Sequence, residues 1–458
     1  MRALYTCFLS LLILFSNQCI YSQYNTLWLS SVEGVSNQQV RDIVYDPHNY
    51  KVYVVGEFEG DISSTFPNGP NTADFANPPT GKNGFLAQYD TSGTLGWALW
   101  IGGAGDDVIS SIDLGESGAV YICGSFNSSA DFSEIGGGLT TTATSFGGQD
   151  AFQAKYSSSG ILIWLHEDGG SGDDHCSSVD VDTIINQVNF IGQFELDPEI
   201  GGFNIGNISN TTIESFILSR DLAGSAEWIT ETEGTDGDNI LTEITSNLDS
   251  IYVGGVFNSG TLRFKDYLGN YSTIISNIDN NNEIIIASLS QNTGEFNWQA
   301  QIKNNSNDFL GGIIYFNGFL YLTGSLSSNA EFPAMGNVST TSGQNVFISK
   351  HHAQNGNTDF VTIENPVGNS NAFSYDIGFD STFIAILGTN DGTIRFDGNS
   401  ANDLIAGNGI DGFIAFYSLD SLHFFQRKGV SSSGNVRANT ITSNAENQFY
   451  FGGGAEQI

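Results

Sequence analysis

The sequence predicts an all-β chain closed into a ring: a seven-bladed β-propeller of four-stranded antiparallel blades. Three observations lead to it. The first is repetition. Val52-Tyr53-Val54-Val55-Gly56-Glu57-Phe58 returns as Val120-Tyr121-Ile122-Cys123-Gly124-Ser125-Phe126, and weaker copies place the repeat glycine again at Gly192, Gly255, Gly324, Gly388 and Gly453, at intervals of 63 to 69 residues. The second is the content of a unit: four short runs rich in Val, Ile, Tyr and Phe, parted by Gly, Asn, Ser and Asp turns, with no amphipathic helix among them. The third is composition. Of 458 residues, 55 are Gly, only 8 are Pro and 40% are hydrophobic, which describes a globular chain able to bury a large core. A lone four-stranded sheet leaves both faces bare, so such units must stack, and closing the stack into a ring leaves only short, protected edges. A linear β-solenoid is the competing repeat fold, but its repeats are far shorter.

Taken in order, the chain opens with a targeting signal. Arg2 precedes an apolar run over residues 4–15, broken by Thr6, Cys7 and Ser10, and polar Ser16-Asn17-Gln18 and small Ser22 follow. Residues 1–22 therefore read as a secretory signal peptide cleaved near Ser22/Gln23, with an apolar stretch too short to span a bilayer. The residues before Cys19 are not the aliphatic and small ones that a lipobox needs. Residues 23–458 form the propeller, as six complete repeats of about 66 residues plus a partial seventh. Within a unit the third strand centres on an aromatic, Phe85, Phe152, Phe216, Phe347 or Phe413, with Ile285 once; the fourth carries Trp97, Trp164, Trp228 and Trp298, then Phe360 and Phe424. These rings are expected as core between blades, and the repeat glycine at a bulge or a close backbone approach.

Ring closure follows from counting strands. Trp28 precedes Asn37 by the interval that separates Trp97 from Asp106, so residues 28–34 are a last strand placed first. The chain ends with a first strand near residues 439–443 and a second at residues 449–453, and residues 28–32 are expected to pair with the strand around Tyr450. Ile458 stands only five residues after Gly453, so the seventh blade lacks a strand: either it has three, or the sequence is a fragment, and the fragment is the preferred reading.

One copy carries a resemblance. Gly105-Asp106-Asp107, Gly118-Ala119-Val120-Tyr121-Ile122-Cys123-Gly124-Ser125-Phe126, Ala130-Asp131-Phe132, Gln149-Asp150-Ala151-Phe152-Gln153-Ala154-Lys155-Tyr156, Gly160 and Trp164 together resemble the bacterial seven-bladed β-propeller repeat family. The first two units match that pattern well and the last four are degraded, with Leu326 where Phe is expected and Phe360 in place of Trp. The resemblance implies the fold and an exported or surface setting; it implies hardly any chemistry.

Charge narrows the partners. Fifty acidic against 14 basic residues leave a formal charge of −36, which repels phosphate backbones and anionic headgroups, so nucleic acid and membrane surfaces are excluded as partners. No later stretch has the ~18 apolar residues of a membrane helix, and the mature chain is expected to be a secreted or cell-surface monomer. Only Cys123 and Cys176 remain after cleavage; a bridge between them is open, and two small buried hydrophobes is the preferred reading. Asp106, Asp107, Asp173 and Asp174, with Asp236, Asp238 and Asp308, fall at equivalent turns on one rim, where hard carboxylate oxygens could take calcium. Against that stands ordinary turn chemistry, in which Asp side chains accept backbone amides. The six histidines, His48, His166, His175, His351, His352 and His423, show no zinc spacing, and adjacent His351-His352 point to opposite faces of a strand. No catalytic constellation and no cofactor motif is legible. The expected function is a non-enzymatic binding or interaction scaffold for a protein or a polysaccharide. The alternatives are a carbohydrate-active enzyme, a lyase or glycosidase with its site at the axis, and a structural spacer of a larger surface protein.

Overall fold

The computed structural model describes residues 8–16, 25–34 and 37–455, apart from 67–70, 77, 136–139, 207–211, 278, 369, 381, 408, 432–434 and 445–447, and describes side chains from Asn37 onward. Arg2, Cys19 and the expected cleavage point lie outside the described residues. Strand follows strand, and helical turns among the described residues are confined to Glu116–Gly118 and Ser400–Asn402. No helix is long and apolar enough to cross a membrane, which says nothing of strands.

The strands run as antiparallel meanders. Gln38–Asp46, Lys51–Glu59, Lys82–Asp90 and Leu95–Gly103 pair in order, and the same order recurs from Val108–Leu114, His175–Asp182, Asn239–Ser246, Phe309–Phe316 and Ala372–Phe379 onward. These inner strands pack side by side in sequence order, and Val436–Ser443 packs back against Gln38–Asp46, so the series closes on itself in a propeller arrangement. The join is specific: Asn439 donates to the Val40 carbonyl, Thr440 Oγ1 donates to Asp42 at 2.9 Å, and Tyr45 stacks on Tyr450 with centroids 5.5 Å apart.

The expected direct pairing of residues 28–32 with the strand around Tyr450 is corrected here. Asn25–Gly34 does belong to the last sheet, but Phe8–Ser16 lies between it and Gln448–Ala455, bonded antiparallel to both. The strand that the sequence lacks after Gly453 is thus supplied from the apolar run read as a leader. The physical reason is that a nine-residue stretch with seven apolar residues suits a middle strand as well as a signal.

Repetition has a packing cause. Five of the repeat glycines lie opposite the third-strand aromatic, Gly56 with Phe85, Gly124 with Phe152, Gly192 with Phe216, Gly324 with Phe347 and Gly388 with Phe413, and Gly255 lies opposite Ile285. A Cβ at Gly56 would stand 2.7 Å from the Phe85 ring and press on the Gln39 carbonyl of the inner strand, so only hydrogen fits. Phe85, Phe152, Phe216, Phe347 and Phe413 are fully buried, as expected. The Phe of the Ala-Asp-Phe motif completes the cluster: Phe132 meets Phe152 edge-on at 5.0 Å, as Phe396 meets Phe413 at 5.5 Å. Trp97 and Trp228 are buried, while Trp164 and Trp298 are half-buried. All four indoles donate across to the turn of the next meander, at Ser158, Leu222, Gln291 and Ala353 carbonyls over 3.0–3.3 Å. Phe360 has no such donor and stands exposed.

Candidate functional site

The acidic turns come first, because the sequence singles them out. Asp106 and Asp173 accept the backbone amides of Lys82 and Gln149 at 3.1 and 2.9 Å, and Asn307 and Asn371 do the same for Asn282 and Gln344. Asp107 is fully buried and accepts from Gly103 and Asn127; Asp174 is its equivalent, accepting from Gly170 and Glu195. Burial pushes the Asp107 carboxyl up to about 6 and that of Asp174 up to about 7, against the pull of those amides. Each turn clasps a third strand to the following inner strand. The structure spaces the pairs around the rim, one per meander, and no group of three or more His, Cys, Asp or Glu side chains among the described residues is placed to hold a metal ion.

Most of the residues that do converge were not singled out by the sequence; of the candidate turn carboxylates, Asp106 reaches the same cavity and Asp107, Asp173 and Asp174 do not line it. Every inner strand carries a β-bulge one residue after the position opposite the repeat glycine, because the crowded glycine contact forces the chain to step aside. The bulged residues are Arg41, Ser110, Ser177, Thr242, Gly311, Tyr375 and Asn439, and all seven line one cavity of about 610 Å³ at the axis. Its rim carries Phe309, edge-on to Tyr375 at 5.8 Å, and Tyr375 stacks in turn on Phe373 at 6.2 Å. The opposite wall brings Lys82, Gln149, His175 and Gln193. Arg41 and Lys82 share Glu57, at 2.9 and 3.1 Å, and Arg41 Nε and Thr242 Oγ1 have no hydrogen-bond partner in the protein. Burial lowers His175, which keeps its imidazole neutral near pH 7.

Below the bulges the axis is acidic. Asp42 accepts from Ser111 Oγ and the Ile112 amide at 2.8 and 3.0 Å, Asp113 from the Val181 amide at 2.7 Å, and Asp376 from the Ile441 amide at 2.7 Å, so each staples its inner strand to the next. Asp180 takes the hydroxyl of Ser246 in the same way. Burial first, and the neighbouring carboxyls second or third, raise Asp113 and Asp376, and Glu243 lies well above the usual carboxylate range for burial and for Asp376 and Asp42. Glu243 alone of these lines the cavity. Of the histidines, His351 is buried and His352 exposed, on opposite faces as expected.

The bulge position could have been found. It sits 13 to 15 residues before each repeat glycine, and it reads Arg, Ser, Ser, Thr, Gly, Tyr, Asn.

No family model matches the chain, and no curated protein matches it. The family of the resemblance therefore stays a resemblance. Among solved structures the chain is similar to the crystal structure of quinohemoprotein alcohol dehydrogenase from Comamonas testosteroni, at 10% identity and a TM-score of 0.36, over 90% of this chain and 74% of that one. A likeness of that size carries no argument about chemistry.

Proposed function

We propose that the chain is a seven-bladed propeller of four-stranded blades, exported, that acts as a non-enzymatic binding scaffold and takes a residue of a polysaccharide in its axial mouth. The observation that carries the reading is the ring of bulged residues. A repeat that largely keeps its glycines and aromatics for packing varies its polar chemistry where all copies face one cavity, and varied polar groups around a shared concave site are what a specific ligand requires. Tyr375 and Phe309 offer ring faces to a sugar, and unpartnered donors on Arg41 and Thr242 offer hydrogen bonds to its oxygens. The acidic surface favours uncharged glycans or basic protein loops over nucleic acid.

The second reading, a carbohydrate-active enzyme, draws on Glu243, which lines the cavity and whose carboxyl burial and the neighbouring Asp376 and Asp42 push upward, the direction that a general acid needs. Screening the purified protein against a polysaccharide panel for retention and for reducing-end release separates the two. Retention without release is expected; release would make the enzyme the better reading, and neither would leave the spacer.

A further inference from the structure

Cys123 lies on the second strand of one meander, Val120–Phe132, and Cys176 on the inner strand of the next, His175–Asp182, and these two strands pack together. Both side chains are fully buried in one apolar cluster with Tyr121, Ala151, Val179 and Phe190, and both are free thiols. Cys176 Sγ donates to the Ile191 carbonyl at 3.5 Å, and at the equivalent seam between two later repeats Thr323 Oγ1 meets Ser374 Oγ at 2.8 Å, so these two positions face each other across adjacent repeats. Two small apolar residues would fill this space equally well, but only cysteines facing across a seam between repeats can join it. The equivalent positions elsewhere vary: Val55 or Thr323 stands in the place of Cys123, and Val40, Ile109, Leu241, Leu310, Ser374 or Ala438 in the place of Cys176.

We infer that Cys123 and Cys176 are a cross-linking pair, joined as the chain folds in an oxidising medium into a disulfide that ties adjacent repeats beside the axial mouth. The inference stands apart from the binding reading, since it concerns the seam and not the ligand. The oxidant is a small or protein disulfide. One cysteine thiolate attacks it, forming a mixed disulfide and expelling one thiolate; the second cysteine attacks the protein sulfur and expels the other. Two S–H bonds are lost, one S–S bond is made, and the two electrons leave with the oxidant, reduced to two thiols. The step belongs to folding. In the closed fold both sulfurs are shut in and burial holds the Cys176 thiol well above its usual range, so the thiolate that must attack is scarce.

The test refolds the full chain from denaturant, once in mixed oxidised and reduced glutathione and once in reductant alone, alkylates free thiols and maps peptides by mass. The expected result is a Cys123–Cys176 linked peptide two hydrogens lighter in the oxidised sample, resistant to added reductant until the protein is unfolded, with a higher melting temperature than the reduced form. C123S and C176S should each abolish the linked peptide and the difference in melting between the two refolding media. Both cysteines recovered alkylated after oxidative refolding, or either one found paired with Cys7 or Cys19, would overturn the inference; the wild-type map decides even if a variant fails to fold.

Discussion

Phe152 shows how one side chain can serve two contacts at once. Its ring covers Gly124 of the neighbouring strand, meets Phe132 edge-on at 5.0 Å and is fully buried. Phe152→Ala therefore leaves a cavity with rigid walls, and should destabilise the fold by about 3 to 5 kcal/mol, read from denaturant melts. A loss under 1 kcal/mol would mean that the ring is not core. At this scale the sequence is legible where packing repeats, because Phe85, Phe152, Phe216, Phe347 and Phe413 recur against a recurring glycine. It is illegible where chemistry varies: Arg41, Thr242 and Tyr375 share no residue type, and only the bulge that aligns them in space shows that they belong together.

At the scale of the element, the inner strand and the turn before it do the joining. The turn carboxylates are already engaged by backbone amides, Asp107 by Gly103 and Asn127, Asp174 by Gly170 and Glu195. Millimolar calcium should therefore raise the melting temperature no more than magnesium or sodium of equal ionic strength, since screening is not ion-specific. A calcium-specific rise, abolished by Asp107→Asn with Asp174→Asn, would make the rim a metal site. The same burial sets a pH dependence. Asp107 lies up at about 6, Asp174, Asp308 and Glu364 at about 7 and Asp376 at about 8, against unfolded values near 4. Between those limits the native state binds more protons than the unfolded chain, so stability is full below about pH 4 for these groups and is lost as pH rises through their folded values. His351, lowered to about 4 by burial, acts in the opposite sense below pH 6.5, as do His166 and His175, also lowered, but the buried acids outnumber these three. Melting should be higher at pH 5 than at pH 8, and a flat or rising profile across that window would contradict the burial of these acids. The Gly-Asp-Asp turns were visible in the sequence with both roles open; the axial carboxyls were not, because a lone Asp in a strand looks solvent-facing until the ring closes over it.

Across the whole molecule, stability depends on closure. Each repeat touches its neighbours, and the last inner strand returns to the first through Asn439, Thr440 and the Tyr45–Tyr450 stack. A chain that starts at Val35 loses both Phe8–Ser16 and Asn25–Gly34, and its melting temperature should fall sharply below that of the full chain; equal melting would tell against a ring held by its N-terminal strands. Repetition and strand count made the ring readable, including that the N-terminal segment joins the last sheet. The place of Phe8–Ser16 was not readable, since a short apolar run has the same appearance as a leader and as a middle strand. Such a ring matters for function through what its centre presents, and the bulged residues are the part of the repeat free to differ. The measurement that bears on this most directly is retention on the polysaccharide column that binds the wild type best, comparing Tyr375→Ala at the mouth with Tyr271→Ala on the outer surface. Tyr375→Ala should weaken binding about tenfold, roughly 1.4 kcal/mol, with unchanged melting, while Tyr271→Ala binds as the wild type does. Undiminished retention of the Tyr375 variant, or loss only in the Tyr271 variant, would contradict a ligand site at the axis.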